Sequence, residues 1–155
     1  MIESVLHILQ NSFFGAIAAM GFGVLFNVPK KALLSCGVVG AGGIFTRSVL
    51  QSFGVDIVLA TFIASLSVGL LALFFYRYHY APTAVFAVTG AIPMVPGVYA
   101  FKSMIGIISM ATEPASTEIL LEITTEFTKT ALILIAIAAG ITAPTLISKR
   151  FRMVM

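Results

Sequence analysis

Six residues, Ile92-Pro93-Met94-Val95-Pro96-Gly97, interrupt the apolar stretch Thr83–Ala111, whose only formal charge is Lys102. As one straight α-helix this stretch would run about 43 Å, against about 30 Å of hydrocarbon in a bilayer. A straight helix is excluded at its centre. Pro93 and Pro96 each lack an N–H, and each ring clashes with the carbonyl four residues back. The residues before them, Ile92 and Val95, are expected to leave helical angles. Gly97 accepts almost any backbone angle. The helix is therefore predicted to break at Ile92–Gly97, about 15 Å from its start at Thr83 and near the middle of the bilayer.

A break there exposes backbone. The carbonyls of Thr89 and Ile92 are predicted to lose their ordinary donors, and the amides of Gly97, Val98 and Tyr99 to open a new half-helix without partners. In hydrocarbon such backbone survives only when buried in protein or lining a wet cavity. Discontinuous helices form substrate sites in many transporters, with the half-helix N-terminus facing an anionic group. The plainer alternative is a kink packed on a neighbour, since prolines are common in membrane helices. Two prolines and a glycine within so short a stretch favour a true break.

The rest of the chain places this segment in a membrane. It is 59% hydrophobic and 10% charged, where a soluble domain carries about 25% charged residues. The predicted fold is an all-α membrane protein, a single domain over 1–155 with about five transmembrane helices. The spans read as Val5–Phe26, Ala32–Thr46, Ile57–Tyr76, the broken Thr83–Ala111 and Phe127–Ile147. The second is short for a full crossing and is open to three readings: it crosses a thinned region, extends through Ser48–Val55, or is re-entrant. Gly15, Ala19 and Gly23 recur every four residues in the first span, and Gly37, Gly40 and Gly43 crowd the second. These are helix-packing candidates, because small residues let backbones approach closely. Asp56 and Arg77 bracket the third span with charges that suit the helix dipole, and Tyr76, Tyr78 and Tyr80 follow as an interfacial belt. Between Glu113 and Glu126 lies an acidic stretch in which Glu118, Glu122 and Glu126 share one helical face; it reads as an amphipathic extension of the last span. The chain closes on Lys149, Arg150 and Arg152. The positive-inside rule then favours N-terminus out and C-terminus in, with Lys30, Lys31, Arg77 and the C-terminal cluster in the cytoplasm.

Few residues offer chemistry. On this reading no carboxylate lies deep in any span, which argues against a built-in proton relay. Lys102, about 9 Å past Pro96 toward the outer face if helical, could attract a carboxylate to the break, and Arg47, near the outer end of the second span, could be a second cation at the outer side; snorkelling and interfacial anchoring are their plainer roles. The candidate substrate-binding set is Thr89, Ile92, Pro93, Pro96, Gly97, Val98, Tyr99, Lys102 and Arg47. Thr89 could equally bond its own helix backbone. The single cysteine, Cys36, and the separated His7 and His79 have no metal-site spacing, so no metal and no cofactor are expected. No nucleophile–base pair and no phosphate-binding loop occur, and the basic residues sit in short clusters between apolar spans. Enzyme and nucleic-acid readings are set aside on those grounds.

Three stretches then carry a family resemblance: Gly21–Arg47 (GFGVLFNVPKKALLSCGVVGAGGIFTR), Thr61–Ala72 (TFIASLSVGLLA) and Ala91–Met104 (AIPMVPGVYAFKSM). Together they resemble the threonine/serine exporter (ThrE) family, and within it the small YjjB-type subunits. Phe26-Asn27-Val28-Pro29 and the double-proline segment are the most specific parts. The resemblance implies a bacterial inner-membrane exporter built with a larger YjjP-type membrane subunit, with possible higher oligomers. It also implies succinate as substrate, or threonine and serine as in the fused relatives. It supplies no residue-level mechanism. A membrane scaffold that only stabilises a partner is the rival from another class, although a scaffold has no need of unpaired backbone in mid-membrane.

Overall fold

The computed structural model describes residues 2–79, 81–112 and 117–153, and every described regular element is helical. Tyr80 and Glu113 lie outside the described residues, as do the side chains of Glu118, Lys149, Arg150 and Arg152. Helix α1 covers Ile2–Leu25, α2 Lys30–Ser52, α3 Ile57–His79, α4 Thr83–Ala91, α5 Gly97–Thr112 and α6 Thr117–Met153. A single 3₁₀ turn, Ile92–Met94, follows α4. Four helices (α1, α2, α3 and α6) are long and apolar enough to cross a membrane, and the pair α4–α5, bent by 57°, makes a fifth if it counts as one span. The chain is a multi-pass membrane protein.

The second helix is longer than its apolar run suggested. It continues without interruption through Arg47 to Ser52, so it is about 35 Å long and can cross fully. Ser48 to Ser52 are polar enough to read as a connector, but they carry no helix breaker; the breaker is Gly54 at φ 79°. There Val55 N–H reaches back to Leu50 O at 3.1 Å and Gly54 N–H to Gln51 O at 3.0 Å, a Schellman closure that needs a left-handed residue. The α1–α2 turn uses the same device, with Asn27 at φ 56° and Val28 N–H on Gly23 O at 2.9 Å. Asp56 begins α3 as a cap, its Oδ1 accepting Val58 N–H at 2.9 Å.

Small residues set the spacing of the bundle. A Cβ on Gly15 would stand 2.7 Å from Ile44 Cγ1, one on Gly23 2.9 Å from Leu33 Cδ2, and one on Gly37 3.0 Å from Met20 Cγ. A Cβ on Gly40 would collide with Ala19, and one on Gly140 with the Ser65 hydroxyl. Helix α1 thus lies on α2, α2 on α3, and α3 on the second half of α6. The Ser65 hydroxyl bonds across that last contact to Ala136 O at 3.0 Å. Helix α4 fills the centre, touching α1, α2, α3 and α6. Phe86, Val39, Val68, Met94 and Ile133 form the buried core around it.

Candidate functional site

Helix α4 runs parallel to α2, Gly90 lying against Val39 and Gly40, and Met94 against Gly43. The interruption is therefore level with Gly43–Arg47, somewhat past the middle of α2. Its geometry divides between the two prolines. Ile92 keeps right-handed helical angles (φ −55°, ψ −41°), contrary to the expectation that Pro93 would displace it. Pro93 is tolerated because it opens a 3₁₀ turn, where its missing N–H is not needed. The chain turns at Val95 (φ −58°, ψ 133°), the extended geometry that Pro96 imposes on its predecessor.

The freed backbone groups are partly satisfied. Val95 N–H donates to Ile92 O at 3.0 Å, so that carbonyl regains a donor. Gly97 N–H donates to Val95 O at 2.9 Å, and Ala100 N–H to Pro96 O at 3.1 Å. The amides of Val98 and Tyr99 have no acceptor among the described residues. Met94 O, whose helical donor would have been Val98, instead accepts Arg47 Nη1 at 2.8 Å. Arg47 arrives from α2, 47 residues earlier in the chain, and closes the C-terminal end of the interrupted helix, where a cation also suits the dipole. It stands within electrostatic range of Tyr99.

Tyr99 links Arg47 to a pair of charges that sequence reasoning had not placed here. Lys129 Nζ lies over the Tyr99 ring, 5.8 Å from its centre, a cation–π distance. The same nitrogen is 3.9 Å from Glu126 Oε1. Glu126 is only 12% exposed, and its second oxygen, Oε2, is buried with no hydrogen-bond partner. The last helix thus carries a covered carboxylate just ahead of the apolar run Phe127–Ile147, which the expectation that no carboxylate lies deep in a span did not address. The amphipathic stripe Glu118–Glu122–Glu126 concealed it, since the burial comes from α5 folding back along α6. The available signal was Lys129, one turn on and already inside the apolar run.

The remaining candidates separate into three environments. Thr89 is fully buried, and its hydroxyl is spent on Val85 O at 2.8 Å, beside the Cys36 thiol. Ile92 and Pro93 are half-buried and Pro96 is buried, while Gly97 and Val98 face outward, Val98 at 68% exposure. A Cβ on Gly97 would meet nothing within 4 Å. Lys102 is exposed and lines a cleft of about 260 Å³ between α5 and α6 with Glu122, Ser109 and Ile123. The structure brings Arg47, Pro96, Val98 and Tyr99 together at the break and sets Lys102 beyond them along α5. A larger cleft, about 560 Å³, lies at the opposite end of the bundle, lined by Arg77, Thr83, Thr145 and Ser148 among others. Helix α4 runs from that cleft to the break.

This arrangement can hold an anion. It offers two open amides, a guanidinium and an ammonium around an aromatic ring, with no nucleophile–base pair beside them among the described residues. No solved structure matches the chain. A family model described as threonine/serine exporter, ThrE, matches residues 11–147, which take in the break and most or all of each span, and the chain belongs to that exporter family.

Proposed function

We propose that this chain is the smaller subunit of a two-component exporter of small carboxylates, succinate among them, working with a larger YjjP-type subunit in the bacterial inner membrane. The observation that carries the reading is Arg47 at the interrupted helix, its guanidinium on Met94 O beside the open amides of Val98 and Tyr99. A carboxylate entering there would meet donors fixed by the fold rather than flexible side chains alone. Arg47 can release Met94 O and pair with the incoming anion, since a charge-assisted bond to a carboxylate is stronger than one to a neutral carbonyl. Lys102, further along α5, would draw anions toward the site. A dianion feels that pull more strongly than a singly charged anion, which favours a dicarboxylate.

Threonine and serine form the second reading, favoured by the description of the family itself. Their carboxylate would use the same groups. Efflux of succinate and of threonine from preloaded cells lacking endogenous exporters separates the two, with this chain, the larger subunit and both together expressed in turn. Succinate efflux only with both is the expected result. Threonine efflux only with both keeps the architecture and changes the substrate. No efflux in any combination, with both proteins present in the membrane, removes the export reading and leaves the scaffold.

A further inference from the structure

The cleft at the other end of α4 is remote from the break, and anion export gives it no role. It holds about 560 Å³ between the end of α3, the start of α4 and the last turns of α6. Its polar lining is Arg77, Thr83, Thr145 and Ser148. Arg77 is exposed and makes no ion pair among the described residues. The two stretches that build the cleft, 57–112 and 127–155, contain no Asp or Glu. Helices α2 and α4 run parallel, so Lys30 and Lys31, which open α2, stand at the same end of the bundle. A guanidinium among cations, with no carboxylate to pair, favours an anion brought from outside the chain.

The hydroxyls agree with that. A helical Ser or Thr ordinarily bonds the carbonyl one turn back, as Thr142 does to Ala138 O and Thr89 to Val85 O, both at 2.8 Å. Thr145 and Ser148, next along α6, are half-buried, and their hydroxyls make no hydrogen bond among the described residues. Across the cleft, Thr83 opens α4 after Pro82, which supplies no side-chain cap.

The remaining wall is apolar and reaches lipid. Leu73, Phe74 and Tyr76 line the cleft. Phe74 is 54% exposed, lies 5.0 Å from Tyr78 between ring centres, and continues the exposed surface of Leu70 one turn deeper in the membrane. A soluble dicarboxylate has no use for that surface. A phospholipid uses all of it: the phosphate meets Arg77 and the hydroxyls at the level where Tyr76 and Tyr78 mark the interface, and an acyl chain descends over Phe74 and Leu70. The volume suits a headgroup with the first part of its chains, since pockets that enclose a whole small ligand measure about 300–1,000 Å³.

We propose that this cleft binds the phosphate headgroup of an anionic phospholipid, with Arg77 as its cation and Thr83, Thr145 and Ser148 as its hydroxyl donors. A zwitterionic lipid brings a cation of its own into a region rich in Lys and Arg and without an acid, so the site selects net negative charge. A bound headgroup fastens α3, α4 and α6 together at the end from which α4 runs to the break. Export plays no part in this reading, and lipid binding is measured without it.

The chain contains no tryptophan, so Phe74→Trp places a single fluorophore in the cleft wall. Phe13→Trp places one on an exposed part of α1, as the control. Each full-length variant is reconstituted in phosphatidylcholine vesicles in which a rising share of the lipid is brominated phosphatidylglycerol or brominated phosphatidylcholine, whose bromine quenches on contact. Phosphatidylglycerol should quench Phe74→Trp with a preference of about five- to tenfold, the worth of one cation at the membrane surface or slightly more. Phe13→Trp should show almost none. Arg77→Gln, added to Phe74→Trp, should reduce the preference to that of Phe13→Trp, and Thr145→Val with Ser148→Ala should lower it about two- to fivefold. Millimolar succinate or inorganic phosphate should leave the quenching unchanged. Equal quenching by the two lipids, or a preference that survives Arg77→Gln, overturns the proposal. Relief of the quenching by succinate or phosphate also overturns it, by making the cleft a site for soluble anions. Native mass spectrometry of the unmodified chain, stripped of lipid and offered both lipids together, decides if Phe74→Trp spoils the cleft. Selective retention of phosphatidylglycerol, lost in Arg77→Gln, is expected there, and equal retention of the two lipids overturns the site.

Discussion

The two halves of the interrupted helix are both apolar, yet the structure treats them in opposite ways. Helix α4 is enclosed by α1, α2, α3 and α6, and Phe86, Ala87, Thr89, Gly90 and Ala91 are buried. Helix α5 has α6 as its main neighbour, and Val98, Phe101, Met104, Ile105, Ile107 and Ile108 are exposed. Hydropathy cannot separate them, because lipid, protein and a partner subunit all accept the same apolar side chains. What separates them is residue size. Helix α4 carries alanine, glycine and threonine where neighbouring backbones approach, whereas α5 carries large aliphatic residues that would hold a neighbour away. The half that holds the break in place is rigid by enclosure. The half that opens with the free amides is positioned by the Val95–Gly97 turn and by one helix contact.

This contrast is open to breakage by substitution at matched positions. The largest effect belongs to Gly90→Val. Its Cβ would stand 2.5 Å from Val39 Cγ1 and 3.3 Å from Gly40 N, a backbone atom that cannot yield. Overpacking of that kind costs about 1–3 kcal/mol or more, and Gly97→Val, with open space around its Cβ, should cost within about 0.5 kcal/mol. Cys36, fully buried in α2, reports the difference: heating in the presence of a thiol-reactive dye should label Gly90→Val at lower temperature than wild type, and Gly97→Val at the wild-type temperature. Gly97→Val should nonetheless lower export, because its side chain crowds the open amides. Equal lability in the two variants would refute the division into an enclosed and an open half.

Phe86→Ala against Phe101→Ala repeats the comparison by deletion. Phe86 is fully buried and touches Phe75 with ring centroids 6.3 Å apart. Its truncation should cost about 3 kcal/mol, the low end for such cavities because lipid already replaces water as solvent. Phe101 is 64% exposed, and its truncation should leave the thermal labelling of Cys36 unchanged. A loss at Phe101 that appears only when the larger subunit is present would place that subunit on α5.

Arg47 joins the two halves, and its replacement tests that junction. Arg47→Ala leaves Met94 O without its donor, at a cost of about 1.5–3 kcal/mol for a bond to a charged group. Arg47→Lys should restore part of the stability, since an ammonium reaches one carbonyl, yet recover less export, since it cannot engage carbonyl and carboxylate in a fork. Parallel recovery of both would make Arg47 a cap and nothing more.

Much of this was legible in the sequence for local reasons. The double proline marks the break because a missing N–H is a property of the residue itself. The spans follow from apolar runs. The readings that failed or stayed open turned on the folded surroundings of each residue. Ile92 stayed helical because a 3₁₀ turn absorbed Pro93 without displacing it. Of the three readings of the second span, extension into the connector is the one that agrees with a helix running on to Ser52, because polarity alone does not end a helix. Arg47 reached the break through the parallel alignment of α2 and α4, which no local pattern encodes. Glu126 is the clearest case: its spacing matches that of an exposed stripe, and only the return of α5 along α6 covers it.

Lys102 carries the smallest effect and separates two roles for the outward half. It lines the α5–α6 cleft with Glu122 but makes no ion pair among the described residues. If it draws anions toward the break by field alone, neutralisation in Lys102→Gln should lower export about twofold, and reversal in Lys102→Glu should lower it further, both effects shrinking as salt is raised. Equal loss in the two variants, or loss that salt does not diminish, would mean that Lys102 acts by contact or merely anchors α5. The salt series decides because an exposed charge acting at a distance is screened over about 8–10 Å at physiological ionic strength, while a direct contact at the site is not. A screened response would assign α5 the task of gathering the anion, and leave α4, with Arg47 upon it, the task of holding the place where it binds.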